Sequence, residues 1–169
     1  DTAANQKEID NLILKFGFPL VVKSRFGSGS RNFHVAKNKE ELKIFLRDTP
    51  HPIVQEYIAS RPEEEYTVGI FLDEKSSVKG AITMLRQLRF GLTFHAIVDD
   101  YPDVTELAKQ TAESLQAIGL CNVQLRRDRN NLPCVIEINA RISSTVAFRA
   151  KLGFNEIAAA IDYFLLRKK

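Results

Sequence analysis

Two alternating stretches in the second half of the chain constrain the fold most strongly, because they predict one β-hairpin. The β-type runs Cys121 to Asp128 and Pro133 to Asn139 flank a turn-forming Asn130-Asn131 pair, which favours a two-residue loop. A one-residue slip in pairing would move the apolar side chains of a strand to the solvent face, so the apolar pattern also fixes the register.

This register predicts a polar face on the hairpin. It places Gln124 directly across from Glu137, and Asn122 across from Asn139. Because side chains alternate along a strand, all four lie on one face. The opposite, buried face is expected to contain Val123, Leu125, Cys134, Ile136 and Ile138.

The polar face has the chemistry of a magnesium site. Mg²⁺ prefers oxygen ligands, usually one or two carboxylates together with substrate phosphates, and amide oxygens can complete that set. Arg141, two residues beyond Asn139, adds a planar donor for a phosphate or carboxylate. A solvent-exposed polar face of an antiparallel hairpin is the other interpretation, and it uses many of the same residue types. The hairpin alone leaves both open.

Length and composition predict an ordinary globular protein. A chain of 169 residues is sufficient for one domain, here with two lobes, and the net charge of +3 gives little support to nucleic-acid binding. The apolar stretches are too short to span a bilayer and the first residues lack a signal pattern, so we expect a cytoplasmic protein that binds no membrane. Cys121 and Cys134 are interpreted as small buried hydrophobic residues.

Hydrophobic periodicity predicts an α+β fold. The first half is expected to contain a helix over residues 5–16 ended by Gly17, strands over 19–24, 33–36 and 53–58, and a helix capped by Asn38. The second half is expected to contain antiparallel strands near 66–72, 78–90 and 92–98, a helix over 103–118, the hairpin, a short helix over 143–151 and a last helix capped by Asn155.

Several further segments are candidate sites, although each also has an ordinary structural interpretation. Lys23 ends an apolar strand before the small-residue loop 27–30, which resembles an anion-binding loop but also a plain hairpin turn. The segment 54–58 offers backbone groups to a base edge, or is simply a buried strand. Arg86 and Arg89 are interpreted as solvated arginines, with a pocket for an anionic substrate as the alternative.

The order of these segments resembles the ATP-grasp superfamily over nearly the whole chain. The matching motifs are Gly-Phe-Pro-Leu-Val-Val-Lys, the small-residue loop, Val-Gln-Glu-Tyr-Ile, Glu-Tyr-Thr-Val, Asn-Val-Gln and Glu-Ile-Asn-Ala-Arg-Ile-Ser-Ser. The last two are most similar to the large chain of carbamoyl phosphate synthase. The resemblance implies two α+β lobes with antiparallel sheets enclosing ATP, lobe one over about 1–58 and lobe two over about 59–169.

The resemblance also implies roles for individual residues. Residues implied to bind the nucleotide are Lys23, Gly27, Ser28, Gly29 and Ser30 at the phosphates, Gln55, Glu56 and Ile58 at adenine, and Glu65 at ribose. Residues implied to bind metal are Gln124, Glu137 and Asn139, with Mg²⁺ as the metal and Mn²⁺ as a substitute. Asn122 and Arg141 are implied to position the transferred phosphoryl group.

In the family, a carboxylate attacks the γ-phosphate of ATP, and an amine or similar nucleophile then displaces phosphate from the acylphosphate. The resemblance therefore implies an ATP-dependent ligase whose partners are ATP, a carboxylate and an amine. An inactive ATP-binding or regulatory module of the same fold is one alternative. An interaction domain without nucleotide is another.

Three departures from the family pattern qualify these implications. The 27–30 loop contains less glycine than usual, and Ser144 stands where synthase relatives commonly have a second arginine. The chain also begins at the helix before Lys23, whereas relatives have an earlier phosphate-binding segment. We therefore expect a fragment that is incomplete at its N-terminus and works with the missing domain or a companion chain, in a homo-oligomer or as a monomer.

Overall fold

The structure is a computed structural model that describes residues 6–26, 32–59, 65–89 and 92–168. The chain divides into two compact units, Asp1–Tyr57 and Ile58–Lys169. Each unit has its own antiparallel sheet, so the predicted α+β class with two antiparallel sheets is confirmed. No helix in the described ranges is long and apolar enough to cross a membrane.

The described part of the first unit contains three strands and two helices. Its elements are α1 (Gln6–Phe16), β1 (Leu20–Ser24), β2 (Phe33–Ala36), α2 (Lys39–Asp48) and β3 (Pro52–Glu56). The sheet has the order β2-β1-β3, and its apolar side packs against the helices through Leu20, Val22 and Leu42. These elements follow the predicted pattern.

Two predicted helix boundaries in this unit are confirmed. Gly17 ends α1 with a positive φ of 68° and donates its backbone N–H to the Ile13 carbonyl at 2.8 Å, a backbone conformation that glycine adopts without strain. Asn38 caps α2, where its Oδ1 accepts from the backbone N–H of Glu41 at 2.9 Å.

The second unit is built on a five-stranded sheet of order β6-β5-β4-β7-β8. Its strands are β4 (Glu65–Leu72), β5 (Val78–Arg89), β6 (Leu92–Val98), β7 (Gly119–Arg127) and β8 (Pro133–Asn139). Its helices are α3 (Pro102–Ser114), α4 (Val146–Lys151) and α5 (Glu156–Ala160), and α5 continues into a π-helical turn, Ile161–Leu165.

The two faces of this sheet differ in character, because side chains alternate along each strand. Tyr66, Val68, Ile70 and Leu72 of β4 pack in the same core as residues of α3 and β7. Residues 65, 67, 69 and 71 of β4 must then project from the other face. That second face also receives the polar residues of the hairpin.

The helix α3 is shorter than the sequence predicts. It ends at Ser114, not near residue 118, and Gln116 has a positive φ of 52°. Gly119, expected to stop the helix, has a φ of 79° and is the first residue of β7. The apolar positions beyond Ser114 continue the helical spacing, but the chain already turns toward the sheet there.

The hairpin loop differs from the predicted two-residue turn. Residues 128–132 form the loop, where the Asp128 carboxylate accepts from the backbone N–H groups of Asn130 at 2.9 Å and Leu132 at 2.8 Å. Asn131 has a positive φ of 64°. An aspartate side chain that accepts backbone hydrogen bonds stabilises such a turn, and this effect overrides the Asn-Asn turn signal.

A β-bulge compensates for the longer loop. The register shifts between Gln124 and Leu125, so that Leu125 pairs with Val135 and Ile136 becomes the extra residue. Val135 packs against the buried core cluster, which corrects the prediction that Ile136 and Cys134 lie on the core side. Between the bulge and the loop, the side chains of β8 therefore lie on the faces opposite to those predicted.

The last helix follows its predicted cap but not its predicted face. Asn155 Oδ1 accepts from the backbone N–H of Ala158 at 3.1 Å. However, Ile161 and Leu165, expected in the core, are 43% and 74% exposed. The π-helical turn is wider than an α-turn and rotates these side chains away from helical periodicity. The ring of Phe164 instead contacts Phe71.

Candidate functional site

The polar hairpin pairs lie opposite each other as predicted. Asn122 pairs with Asn139 and Gln124 pairs with Glu137. The expected register is therefore confirmed for the part of the hairpin that lies away from the loop, before the bulge at Gln124. Strand β4 extends the same face, because Thr67 pairs with Gln124 and Gly69 pairs with Asn122.

Three of the four hairpin residues are accessible. Gln124, Glu137 and Asn139 are partly exposed, and Asn139 Nδ2 donates to Glu137 Oε1 at 2.8 Å. This bond orders a carboxylate and an amide side by side on one strand. The oxygens of these residues form a hard donor set that fits Mg²⁺ when phosphates supply further ligands. The described residues contain no cluster of three or more His, Cys, Asp or Glu side chains able to hold a metal without such help.

Asn122 is in a different environment. Its side chain is 2% exposed, and its Oδ1 accepts from Thr67 Oγ1 at 2.9 Å and from Arg149 Nη2. A ligand on the accessible part of the face would contact Gln124 or Glu137 before Asn122. The predicted contact between Asn122 and a phosphoryl group stays a prediction, and it would have to use the Nδ2 donor, since Oδ1 already has two partners.

Arg149 also lies on this face of the sheet, against Thr67, Asn122 and Gly69, and the sequence prediction missed it. It is fully buried, and its Nη1 donates to both carboxylate oxygens of Glu156, at 2.8 and 3.1 Å. Its guanidinium lies against Gly69, where a Cβ would overlap it. Burial lowers the pKa of Arg149, whereas the Glu156 carboxylate opposes that shift. A glycine inside a buried strand indicates a close approach by another group. Gly69 is therefore the sequence feature that could have predicted a buried side chain at this position.

A second buried cluster contains Glu65, the residue predicted to bind ribose. Glu65 is 6% exposed, and its carboxylate accepts from Arg86 Nη2 and, at 3.1 Å, from Arg126 Nη2. Both carboxylate oxygens therefore have an arginine partner. Ribose binding by Glu65 would require at least one guanidinium to share or release the carboxylate.

The two arginines of the sequence motif 86–89 behave differently. Arg86 is 7% exposed, so its interpretation as a solvated arginine is wrong. It lies on the polar face of the central strands, and the Glu65 carboxylate offsets the cost of burying its charge. Arg89 is exposed, and its guanidinium lies 5.5 Å from the centroid of the Phe94 ring.

Arg141, predicted to hold phosphate, is exposed just beyond β8. Its Nη1 donates to the Ile142 carbonyl at 3.2 Å. It is close in sequence to Asn139, so a ligand at the accessible hairpin face is within reach of a side chain of this length.

The predicted nucleotide residues divide between the two units. Lys23 lies in β1 between Phe33 of β2 and Ile53 of β3. Gln55 and Glu56 lie at the end of β3, whereas Ile58 belongs to the second unit. The predicted phosphate loop, Gly27, Ser28, Gly29 and Ser30, lies outside the described residues.

A family model described as "ATP-grasp in the biosynthetic pathway with Ter operon" matches residues 48–169. Solved structures have the same fold at low identity. An N5-carboxyaminoimidazole synthetase from Staphylococcus aureus, complexed with ADP, is 20% identical with a TM-score of 0.68, over 87% of this chain and 41% of that chain. A biotin carboxylase β-γ-ATP complex from Campylobacter jejuni is 19% identical with a TM-score of 0.73, over 95% of this chain and 40% of that chain.

An L-amino acid ligase from Bacillus licheniformis is also similar, with 17% identity and a TM-score of 0.59, over 85% of this chain and 38% of that chain. The chain thus spans 38% to 41% of the length of these three proteins. At such identities the likeness establishes the fold alone.

Proposed function

This chain belongs to the family described as "ATP-grasp in the biosynthetic pathway with Ter operon", and we propose that it is the nucleotide- and metal-binding part of an ATP-dependent ligase. The superfamily predicted from the sequence is thereby confirmed, whereas its carbamoyl phosphate synthase branch stays a resemblance. The observation that carries the proposal is the accessible oxygen face of Gln124, Glu137 and Asn139 on paired strands.

We assign nucleotide binding to the residues implied by the family motifs. Lys23 and the loop Gly27 to Ser30 contact the phosphates, and the backbone near Glu56 and Ile58 contacts adenine with Gln55 nearby. The support comes from similar structures that contain ADP, a β-γ-ATP complex or MgADP. Ribose binding by Glu65 stays a prediction, since its carboxylate already accepts from two arginines.

Gln124, Glu137 and Asn139 are the residues that would hold magnesium, or manganese in its place. The bound ion would neutralise charge on the nucleotide phosphates. Arg141 donates hydrogen bonds to the transferred phosphoryl group, which its planar guanidinium suits. Asn139 also orients the Glu137 carboxylate through their 2.8 Å hydrogen bond.

The proposed reaction has two steps. An oxygen of the substrate carboxylate attacks the γ-phosphorus of ATP, the bond to the β-phosphate oxygen breaks, and ADP leaves. An amine then attacks the acylphosphate carbonyl carbon, and the bond from this carbon to the phosphate oxygen breaks. Phosphate leaves, the nitrogen loses a proton, and the product is an amide. The protein contributes positioning and charge stabilisation, which dominate phosphoryl transfer in general.

One observation favours a second candidate, a nucleotide-binding module without turnover. The metal set contains a single carboxylate, Glu137, beside two neutral amides. Such a set binds a divalent ion more weakly than one with two carboxylates, because it neutralises less of the ion's charge. Binding of ATP is common to both candidates, so only a measurement of turnover separates them.

The experiment is acylphosphate trapping. The chain is incubated with Mg·ATP, hydroxylamine and, in separate samples, bicarbonate and each of the proteinogenic amino acids. We expect a hydroxamate or ADP to form with one class of carboxylate, and this product to disappear in Glu137→Gln but not in Glu106→Gln, an exposed glutamate on α3. Nucleotide binding without product in every sample would favour the module.

A further inference from the structure

Two arginines on the buried polar face share one carboxylate. Arg86 Nη2 and Arg126 Nη2 both donate to Glu65, whose side chain is 8% exposed. Arg86 Nη1 also donates to Thr93 Oγ1 at 3.2 Å. The contacts of the described residues thus join two positive charges to one negative charge.

The donors of this cluster are incompletely used. The Nε atoms of Arg86 and Arg126 are buried and, within the described part of the chain, have no hydrogen-bond partner. The Arg86 side chain is 8% exposed and the Arg126 side chain 23% exposed. A buried donor without a partner costs free energy, and an excess buried charge costs more. Both costs fall if an anion binds.

The Arg149 cluster provides an internal comparison. Arg149 also has a buried Nε without a partner, but its charge is matched one to one by Glu156, 2% exposed. Repulsion from Arg86 contributes to the lowered pKa of Arg149, after the larger effect of burial. Of these two clusters, only the one of Glu65, Arg86 and Arg126 has two arginines for one carboxylate.

The cluster is adjacent to the proposed metal face. Arg126 follows Gln124 by two residues on β7, so the two side chains project from the same face at a spacing of roughly 7 Å along the strand. Arg126 is also the more exposed arginine of the two. An anion at this position would lie next to phosphates bound at Gln124 and Glu137.

We propose that the cluster of Glu65, Arg86 and Arg126 binds the carboxylate of the substrate that ATP activates. The two guanidiniums donate to the carboxylate oxygens, and Glu65 is the counter-ion that orients them. This inference rests on the proposed function, since it names the binding site of the group that attacks ATP. It also gives Glu65 a role other than ribose binding.

The sharpest variant is Arg126→Gln, which leaves Arg86 and Glu65 as a matched pair. If Arg126 binds an anion, its removal abolishes anion binding while the unfolding temperature stays equal or rises. If Arg126 is only structural, its removal lowers the unfolding temperature and leaves anion binding unchanged. Arg129→Gln, an exposed arginine in the hairpin loop, is the control for a lost positive charge.

The readout is the arginine Nε–H signals in nitrogen-15 NMR spectra. Acetate, bicarbonate and alanine are titrated separately, each with and without a Mg-bound non-hydrolysable ATP analogue. We expect the signals of Arg86 and Arg126 to shift with at least one carboxylate, and the Arg86 shift to be lost in Arg126→Gln and retained in Arg129→Gln. Absence of a shift with all three carboxylates would overturn the inference.

The nucleotide samples separate the two possible sources of the anion and the two proposals. If the ATP analogue alone shifts both signals and carboxylates add nothing, the anion is a nucleotide phosphate and the assignment to substrate is wrong. If the analogue binds and no carboxylate does, the inference fails while the proposed function stands. If carboxylates bind and the analogue does not, the proposed function fails, and the assignment of the bound carboxylate to a substrate that ATP activates fails with it.

Discussion

At the scale of single residues, the buried arginines show why parts of the site could not be predicted. Arg149 lies in a short helical segment among Ala, Phe and Lys residues, where an arginine normally points to solvent. Its burial depends on Glu156, on Asn122 and on the absent side chain of Gly69. These three residues lie in different elements. Local patterns do not report such coincidences.

The Arg149–Glu156 pair leads to a stability prediction. In Glu156→Ala, a fully buried guanidinium keeps its charge without its carboxylate, so we expect a loss of roughly 3–5 kcal/mol in the free energy of unfolding. The double variant Glu156→Leu with Arg149→Met removes both charges and should regain most of that loss. Urea unfolding measures both values. A loss below about 1 kcal/mol in Glu156→Ala, the range of an exposed pair, would contradict the role assigned to the pair.

At the scale of elements, the pairing of the polar residues was predictable, whereas the loop and the register next to it were not. Apolar parity along β7 and β8 correctly paired Gln124 with Glu137, but it placed Cys134 and Ile136 on the core side, where Val135 lies. The loop and the bulge depend on the Asp128 side chain, which bonds to two backbone N–H groups. Their effects on register cancel at Gln124, which is why the predicted pairing survived a wrong turn.

The hairpin is also tied to α3 by a bidentate ion pair. Arg127 donates to both Asp103 oxygens, at 2.6 and 2.8 Å, and these hydrogen bonds lower the pKa of Asp103 below its ordinary value of 3.8. A lowered folded-state pKa stabilises the protein above the unfolded-state value, and this stability is lost as the pH falls through the folded-state value.

We therefore expect Asp103→Asn to have a lower unfolding temperature than the native sequence at neutral pH. The effect should be small, because the Asp103 side chain is 49% exposed and solvent screens the pair. The gap between the two proteins should shrink as the pH falls below 3.8. Calorimetry across this pH range measures the gap, and one that is constant down to the lowest pH would exclude the ion pair as its cause.

At the scale of the whole molecule, the order of motifs predicted more than any motif alone. Lys23 at a strand end and the Gln124–Glu137 pair each have an ordinary structural interpretation. Their order led to the ATP-grasp superfamily, which the family match over residues 48–169 confirms. The order could not predict the cluster of Glu65, Arg86 and Arg126 on the same face as Gln124. These three residues come from three separate strands.

The central claim is that Glu137 and its neighbours bind Mg·ATP, and thermal unfolding with and without Mg·ATP tests it most directly. At a ligand concentration 100 times Kd, we expect a stabilisation of about 2.7 kcal/mol in the native sequence and in the control Glu106→Ala. In Glu137→Ala this stabilisation should be largely lost, and omission of magnesium should have the same effect on the native sequence. Equal stabilisation of Glu137→Ala and the native sequence, or none in either, would contradict the claim.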